Sequence, residues 1–212
     1  MKTSDLISVL AADASKPVTP IGRRVALALG AGALVSAALF MAALGPRHDI
    51  AEAARTMRFD LKFLDTLALL LPSALLCLRL ARPEATPGAL AAWLLAPLVL
   101  LAGAVGVELA TVPSSLWAAK LIGTNMAHCL TLIPLLSIPP LGALIAALRE
   151  GAPSHPVLTG ALAGAAAAGV AATIYASNCT DDSPLFVASW YPLATMIVVA
   201  AGALAGWRWL RW

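Results

Sequence analysis

Residues 157–184 read VLTGALAGAAAAGVAATIYASNCTDDSP: twenty positions without a charge, followed by a thiol, two carboxylates and an amide within eight positions. An uncharged apolar run of about 20 residues is the length that carries an α-helix across about 30 Å of hydrocarbon. A second apolar run, residues 190–206, lies beyond the polar octet, which is therefore a loop between two spans. Four more runs precede them, at about 25–44, 61–80, 89–107 and 126–148. Over 212 residues, 60% are hydrophobic and only 12% charged, with a mean hydropathy of +0.87. Soluble domains carry about 25% charged residues. The fold class expected is an all-α polytopic integral membrane protein with six transmembrane helices.

Six spans bring both termini to one side. That side carries Lys2, Lys16, Arg23, Arg24, Arg79, Arg82, Arg149, Arg208 and Arg211, against Arg47, Arg55, Arg58, Lys62 and Lys120 on the other. The positive-inside rule places both termini in the cytoplasm, although the first outer loop is itself basic. Three regions follow: a cytoplasmic N-terminal segment over 1–24, a six-helix membrane domain over 25–206, and a short cytoplasmic tail over 207–212. Trp190-Tyr191 and Trp207, Trp209 and Trp212 fit interfacial aromatic belts at the two ends of the last span. The net charge of +3 is accounted for by these span-flanking residues, and no basic tract supports nucleic-acid binding.

Within the first segment, Leu6, Ile7 and Leu10 share one face of a short helix that Thr3 or Ser4 would cap. The face suits either lipid or a cytoplasmic partner. Span four contains Pro134 and Pro139-Pro140 and is expected to be bent or locally unwound. Gly160-x-x-x-Gly164 and Gly202-x-x-x-Gly206 are expected to allow close helix approach. Asp65 and Glu108 border spans and are read as interfacial rather than intramembrane groups.

The three cysteines divide by topology: Cys129 and Cys179 fall on the outer side, Cys77 near the inner end of span two. Two small buried hydrophobes or a static disulfide would account for the outer pair. A soft-metal or redox site would too, with His128, Asp181 and Asp182 as assisting ligands, because thiolate and imidazole suit soft and borderline cations. No C-x-x-C, H-E-x-x-H, G-x-S-x-G or nucleotide-binding loop is present, so no enzymatic activity and no required cofactor are expected. A soft metal ion would act only as a transient signal.

The start Met1-Lys2-Thr3-Ser4-Asp5-Leu6-Ile7, with Leu10-Ala11-Ala12-Asp13 and Pro17-Val18, is one part of a recognisable pattern. Cys129 in the fourth of six spans is another, and Asn178-Cys179-x-Asp181-Asp182-Ser183-Pro184 with Phe186 and Trp190-Tyr191 is the most specific. Over nearly the whole chain this pattern resembles the NrsF-type anti-sigma factors of proteobacteria. The resemblance implies a multi-pass protein of the bacterial inner membrane that holds an extracytoplasmic-function (ECF) sigma factor inactive on its cytoplasmic face. It implies release under heavy-metal or oxidative stress, with Cys129 and Cys179 as sensor thiols. The helix face of Leu6, Ile7 and Leu10 is then the candidate sigma-binding surface, and the partners are the sigma factor and membrane lipid. A small metal or solute transporter and a membrane thiol oxidoreductase are the alternatives.

Overall fold

The computed structural model describes residues 20–211 together with Thr3 and Ile7. Ile7 is helical and exposed; Leu6 and Leu10 lie outside the described residues. Eight α-helices follow one another: α1 (Ile21–Ala43), α2 (Ile50–Ala53), α3 (Met57–Leu80), α4 (Ala96–Thr111), α5 (Trp117–Ile122), α6 (Met126–Leu148), α7 (Pro156–Ala176) and α8 (Pro184–Trp209). A 3-10 segment, Gly88–Leu95, leads into α4, and six helical stretches are long and apolar enough to cross a membrane. No strand occurs among the described residues.

The Ala- and Gly-rich run that opened the sequence, α7, is the central helix. Ala163, Ala166, Ala167, Ala168 and Ala171 are fully buried, and α3, α6 and α8 pack around them. Small side chains are what lets neighbours come this close in lipid, where association depends on packing rather than on apolar transfer. A Cβ on Gly160 or Gly202 would overlap the backbone of the facing helix, so the two Gly-x-x-x-Gly pairs form the α7–α8 contact. Large apolar side chains such as Leu34, Leu71, Val99, Leu135 and Met196 point outward and remain exposed, forming a surface suited to lipid.

The prolines of α6 do not unwind it: the helix is continuous from Met126 to Leu148. A proline removes the amide that would pair with the carbonyl four residues back, so Pro140 orphans Leu136. The buried Ser36 hydroxyl of α1 donates to that carbonyl at 2.7 Å, and the Cα of Pro140 fills the space left by Gly32 of α1. The carbonyl that Pro140 orphans is thus paired from the neighbouring helix.

The bundle has two distinct ends. One, the loop end, carries the connections 44–56, 112–125 and 177–183. The other, the terminal end, gathers the start of α1, the turns 81–87 and 149–155, and the end of α8. There Arg24 pairs with Glu150, the Glu84 amide donates to Ser154 Oγ at 2.9 Å, and Leu210 is buried in one cluster with Val25, Ala81 and Leu148.

Candidate functional site

The loop 177–183 is tied to every other element at its end of the bundle. Its own backbone first turns α7 off, with the Asn178 and Cys179 amides donating to the Tyr175 carbonyl at 2.9 and 3.1 Å. From the connection after α1, the Arg47 amide donates to the Ser177 carbonyl at 3.0 Å, and the Asn178 side chain donates to the Gly45 carbonyl at 2.8 Å. The Arg47 guanidinium reaches the Cys179 carbonyl at 3.3 Å and the Asp182 carboxylate at 2.9 Å, while a two-pronged contact at 2.6 and 2.7 Å holds Asp49. That contact is the main cause raising the guanidinium's pKa above its ordinary value, and it pulls the Asp49 carboxyl down to about 2.

From α3, Lys62 enters the same loop. It is 1% exposed, donates to the Cys179 carbonyl at 2.8 Å and pairs with Asp182 at 2.5 Å, above the ring of Phe59. Burying an ammonium is costly unless it is paired and its protons are accepted, and both conditions are met here. From the α5–α6 connection, the Thr124 and Asn125 amides donate to the Asp181 carboxylate at 2.9 and 2.8 Å, with the Asn125 side chain at 2.9 Å. Burial works against the Asp181 charge, yet the bonds from Asn125 and Thr124 outweigh it, and its pKa lies below the usual carboxylate range. Gly123, at φ +58°, lets the chain pass against Asp181 and Phe186, where a Cβ would overlap both.

Glu108, read from the sequence as bordering a span, is buried against the loop end of the bundle. It stands at the end of α4 with 1% exposure and accepts from the Ser183 hydroxyl at 2.7 Å and the Leu185 amide at 3.0 Å. A carboxylate at a helix N-terminus satisfies orphan amides and meets the positive end of the helix dipole. This contact starts α8 at Pro184, six residues before the start read from hydropathy. Arg58 at 3.2 Å and Lys120 at 3.7 Å balance the charge. Asp65, too, is buried within the bundle at 6% exposure.

Inside this frame sit the thiols. Cys129, in the first turn of α6, and Cys179, in the loop, are both fully buried, reduced, and in one cluster with Phe40, Tyr175, Phe186 and Tyr191. The neighbouring Cys129 thiol is the main cause lowering the Cys179 pKa, burial opposes this, and the Lys62 ammonium adds to the lowering, leaving Cys179 at about 7; the Cys179 thiol itself reaches the Asp181 carbonyl at 3.8 Å. Cys179 is therefore the member of the pair poised to become a thiolate. Cys77 is buried in the cluster at the terminal end, apart from both.

The assisting residues are placed differently. His128 is exposed, because successive residues of an α-helix point about 100° apart and Cys129 takes the inward face. Asp181 and Asp182 spend their carboxylates on the loop frame. Among the described residues, no group of three or more His, Cys, Asp and Glu side chains converges on a metal position. Arg47, Lys62, Glu108 and Asn125, which hold the frame, were not picked out from the sequence as site residues.

The whole chain is similar to two known proteins. It is 36% identical over 219 residues to the anti-sigma-F factor NrsF of Caulobacter vibrioides and 34% identical over 213 residues to the probable anti-sigma-F factor NrsF of Azospira oryzae, with both partners covered in full in each case. No solved structure matches. The family model described as "Negative regulator of sigma F" matches residues 10–212, and the chain belongs to this NrsF family.

Proposed function

We propose that this protein is a membrane-bound anti-sigma factor that keeps an ECF sigma factor inactive at the cytoplasmic face of the bacterial inner membrane. Its terminal end and N-terminal segment hold the sigma factor, and the Cys129–Cys179 pair at the opposite end sets release. The names of its full-length relatives support the anti-sigma role. The observation that carries the sensing part is the burial of two reduced thiols, fifty positions apart in sequence, in one cluster at the loop end. A soft cation bridging two sulfurs, or a two-electron oxidant that takes both thiol hydrogens and leaves a disulfide, acts on such a pair. His128, Asp181 and Asp182 would assist a metal only after the loop frame opens. The excess of Lys and Arg near the terminal end supports its cytoplasmic placement.

The test replaces Cys129 and Cys179 together by Ser in a reporter strain. Repression should persist while induction by soft metals and thiol oxidants disappears; a double variant that still responds overturns the sensor role. Deleting residues 1–13 should release the sigma factor, and undiminished co-purification would move the binding surface elsewhere. Because Cys179 is buried, topology is better read from exposed positions: Ala51→Cys should label from the periplasm and Thr86→Cys should not, and the reverse pattern inverts the orientation.

A further inference from the structure

Between α3, α4, α7 and α8 lies a cavity of about 190 Å³ that the thiol frame does not use. Its polar feature is Asp65, 6% exposed, whose Oδ1 makes no hydrogen bond. Leaving a buried oxygen of this kind unsatisfied is costly, and more so if it is charged, so retaining it within a bundle calls for a partner. The neighbouring hydroxyl, that of Thr66, already donates to the Phe63 carbonyl at 3.2 Å and accepts from Thr173 at 2.9 Å, and so does not fill the need. On the side towards the thiols the wall is Tyr191, 3% exposed, whose hydroxyl also makes no hydrogen bond.

The rest of the lining selects the ligand. Leu98 and Met196, which also border the cavity, are 57% and 64% exposed on the lipid-facing surface, so the mouth opens towards the bilayer. Pro97, Leu101, Ala172 and Pro192 make the remaining walls largely apolar, with Thr195 adding one hydroxyl. A metal or sodium ion needs about six oxygens around it, which these walls do not offer. The volume is below the ~300–1,000 Å³ of drug-sized sites, which suits a single ring.

We propose that this cavity binds the head group of a bilayer-soluble quinone, with a ring carbonyl accepting a hydrogen bond from the Asp65 carboxyl and the isoprenoid tail leaving past Leu98 and Met196. The ring then lies on Tyr191, one side chain away from the buried thiols. The site is separate from the Cys129–Cys179 pair and does not depend on a sensing role for it.

The test uses the full chain in phospholipid nanodiscs titrated with ubiquinone-1 by calorimetry, with empty nanodiscs subtracted. One saturable site is expected. Asp65→Leu should weaken it at least about tenfold, the loss of roughly one well-placed hydrogen bond, and Asp65→Asn, which keeps a donor, should stay within about threefold. Leu98→Trp, on the lipid-facing surface, should block the mouth and weaken binding without touching Asp65, which keeps the test valid if Asp65→Leu fails to fold. The Cys129→Ser/Cys179→Ser variant should bind as the parent does, so a failure here leaves the sensor reading standing. Heat no greater than that of empty nanodiscs, equal binding in every variant, a response to sodium chloride in place of quinone, or a phospholipid chain that quinone does not displace would each overturn the proposal.

Discussion

Replacing Cys129 by Ala tests whether Cys179 owes its acidity to its neighbour. In the parent protein the Cys129 thiol is the main cause lowering the Cys179 pKa, Lys62 adds its charge, and the result is about 7 against the opposing effect of burial. Without Cys129, that pKa should rise to at least the free-thiol value of about 8.5. At pH 7 the thiolate fraction then falls from about half to about 3%, roughly 15-fold. A more basic thiolate is intrinsically more reactive, with a Brønsted coefficient of about 0.4–0.5, which restores about fivefold and leaves modification only about threefold slower. The titration midpoint is therefore a better readout than a rate at one pH. Carbon-13 shifts of Cys-labelled protein, recorded from pH 5 to 9 in a Cys77→Ala background, should move from about 7 to 8.5 or above. The same shift has a stability counterpart. A thiol whose folded pKa is depressed contributes stability that is fully present above pH ~8.5 and is lost as pH falls through about 7, and Cys129→Ala should remove this dependence. An unchanged midpoint would refute the pairing of the two thiols, and a lower one would show that Cys129 opposes the thiolate.

Ser36→Ala should cost about 1–3 kcal/mol, because the Leu136 carbonyl that Pro140 orphans is left without a donor; a melting temperature in detergent equal to the parent's contradicts this. Glu108→Ala should cost about 1–3 kcal/mol by leaving the Ser183 hydroxyl and the Leu185 amide without their acceptor, with Glu108→Gln less severe since the amide oxygen still accepts from both. Asp181→Ala removes the acceptor for the Thr124 and Asn125 amides, and hydrogen exchange should accelerate at those two positions while the centre of α7 stays protected.

The spans were legible because an uncharged run has few fates, and α7 shows the strongest case: its glycines and alanines announce close packing before any partner is known. Span ends were less so. Hydropathy begins the last helix at Trp190, yet Pro184 at its first turn and the distant Glu108 carry it back into the loop, and no local pattern reveals a cap supplied from α4. The prolines of α6 do not unwind it, and the donor for the carbonyl that Pro140 orphans was hidden for the same reason, since Ser36 lies on another helix. The thiol pair was legible only as a coincidence of topology. The frame around it left one trace, the basic character of the loop after α1, which runs against the charge bias of the rest of the chain. Arg47 pairs with Asp182 and Arg58 with Glu108, while Lys62, just inside the next span, also pairs with Asp182, so the anomalous cations mark where buried carboxylates wait.

The proposed release requires that a change at Cys129 and Cys179 be felt some thirty ångströms away, roughly the hydrocarbon thickness. Moving a two-state equilibrium from 1:99 to 99:1 takes about 5.5 kcal/mol of differential interaction, and structural zinc binding in small peptides reaches about 10–16 kcal/mol, so bridging the thiols by a metal is energetically sufficient. What remains is a path. α6 carries Cys129 in its first turn and packs along α1, whose first residues directly follow the N-terminal segment. A helix left hinged at its prolines would absorb a displacement at Cys129 locally. Here α6 is continuous, Gly32 closes directly on Pro140, and Ser36 ties the orphaned carbonyl, so α6 and α1 are built to shift together as one stiff pair. The residues that join α6 to α1 at Pro140 are thus the same ones that would carry a change at the loop end to the start of α1.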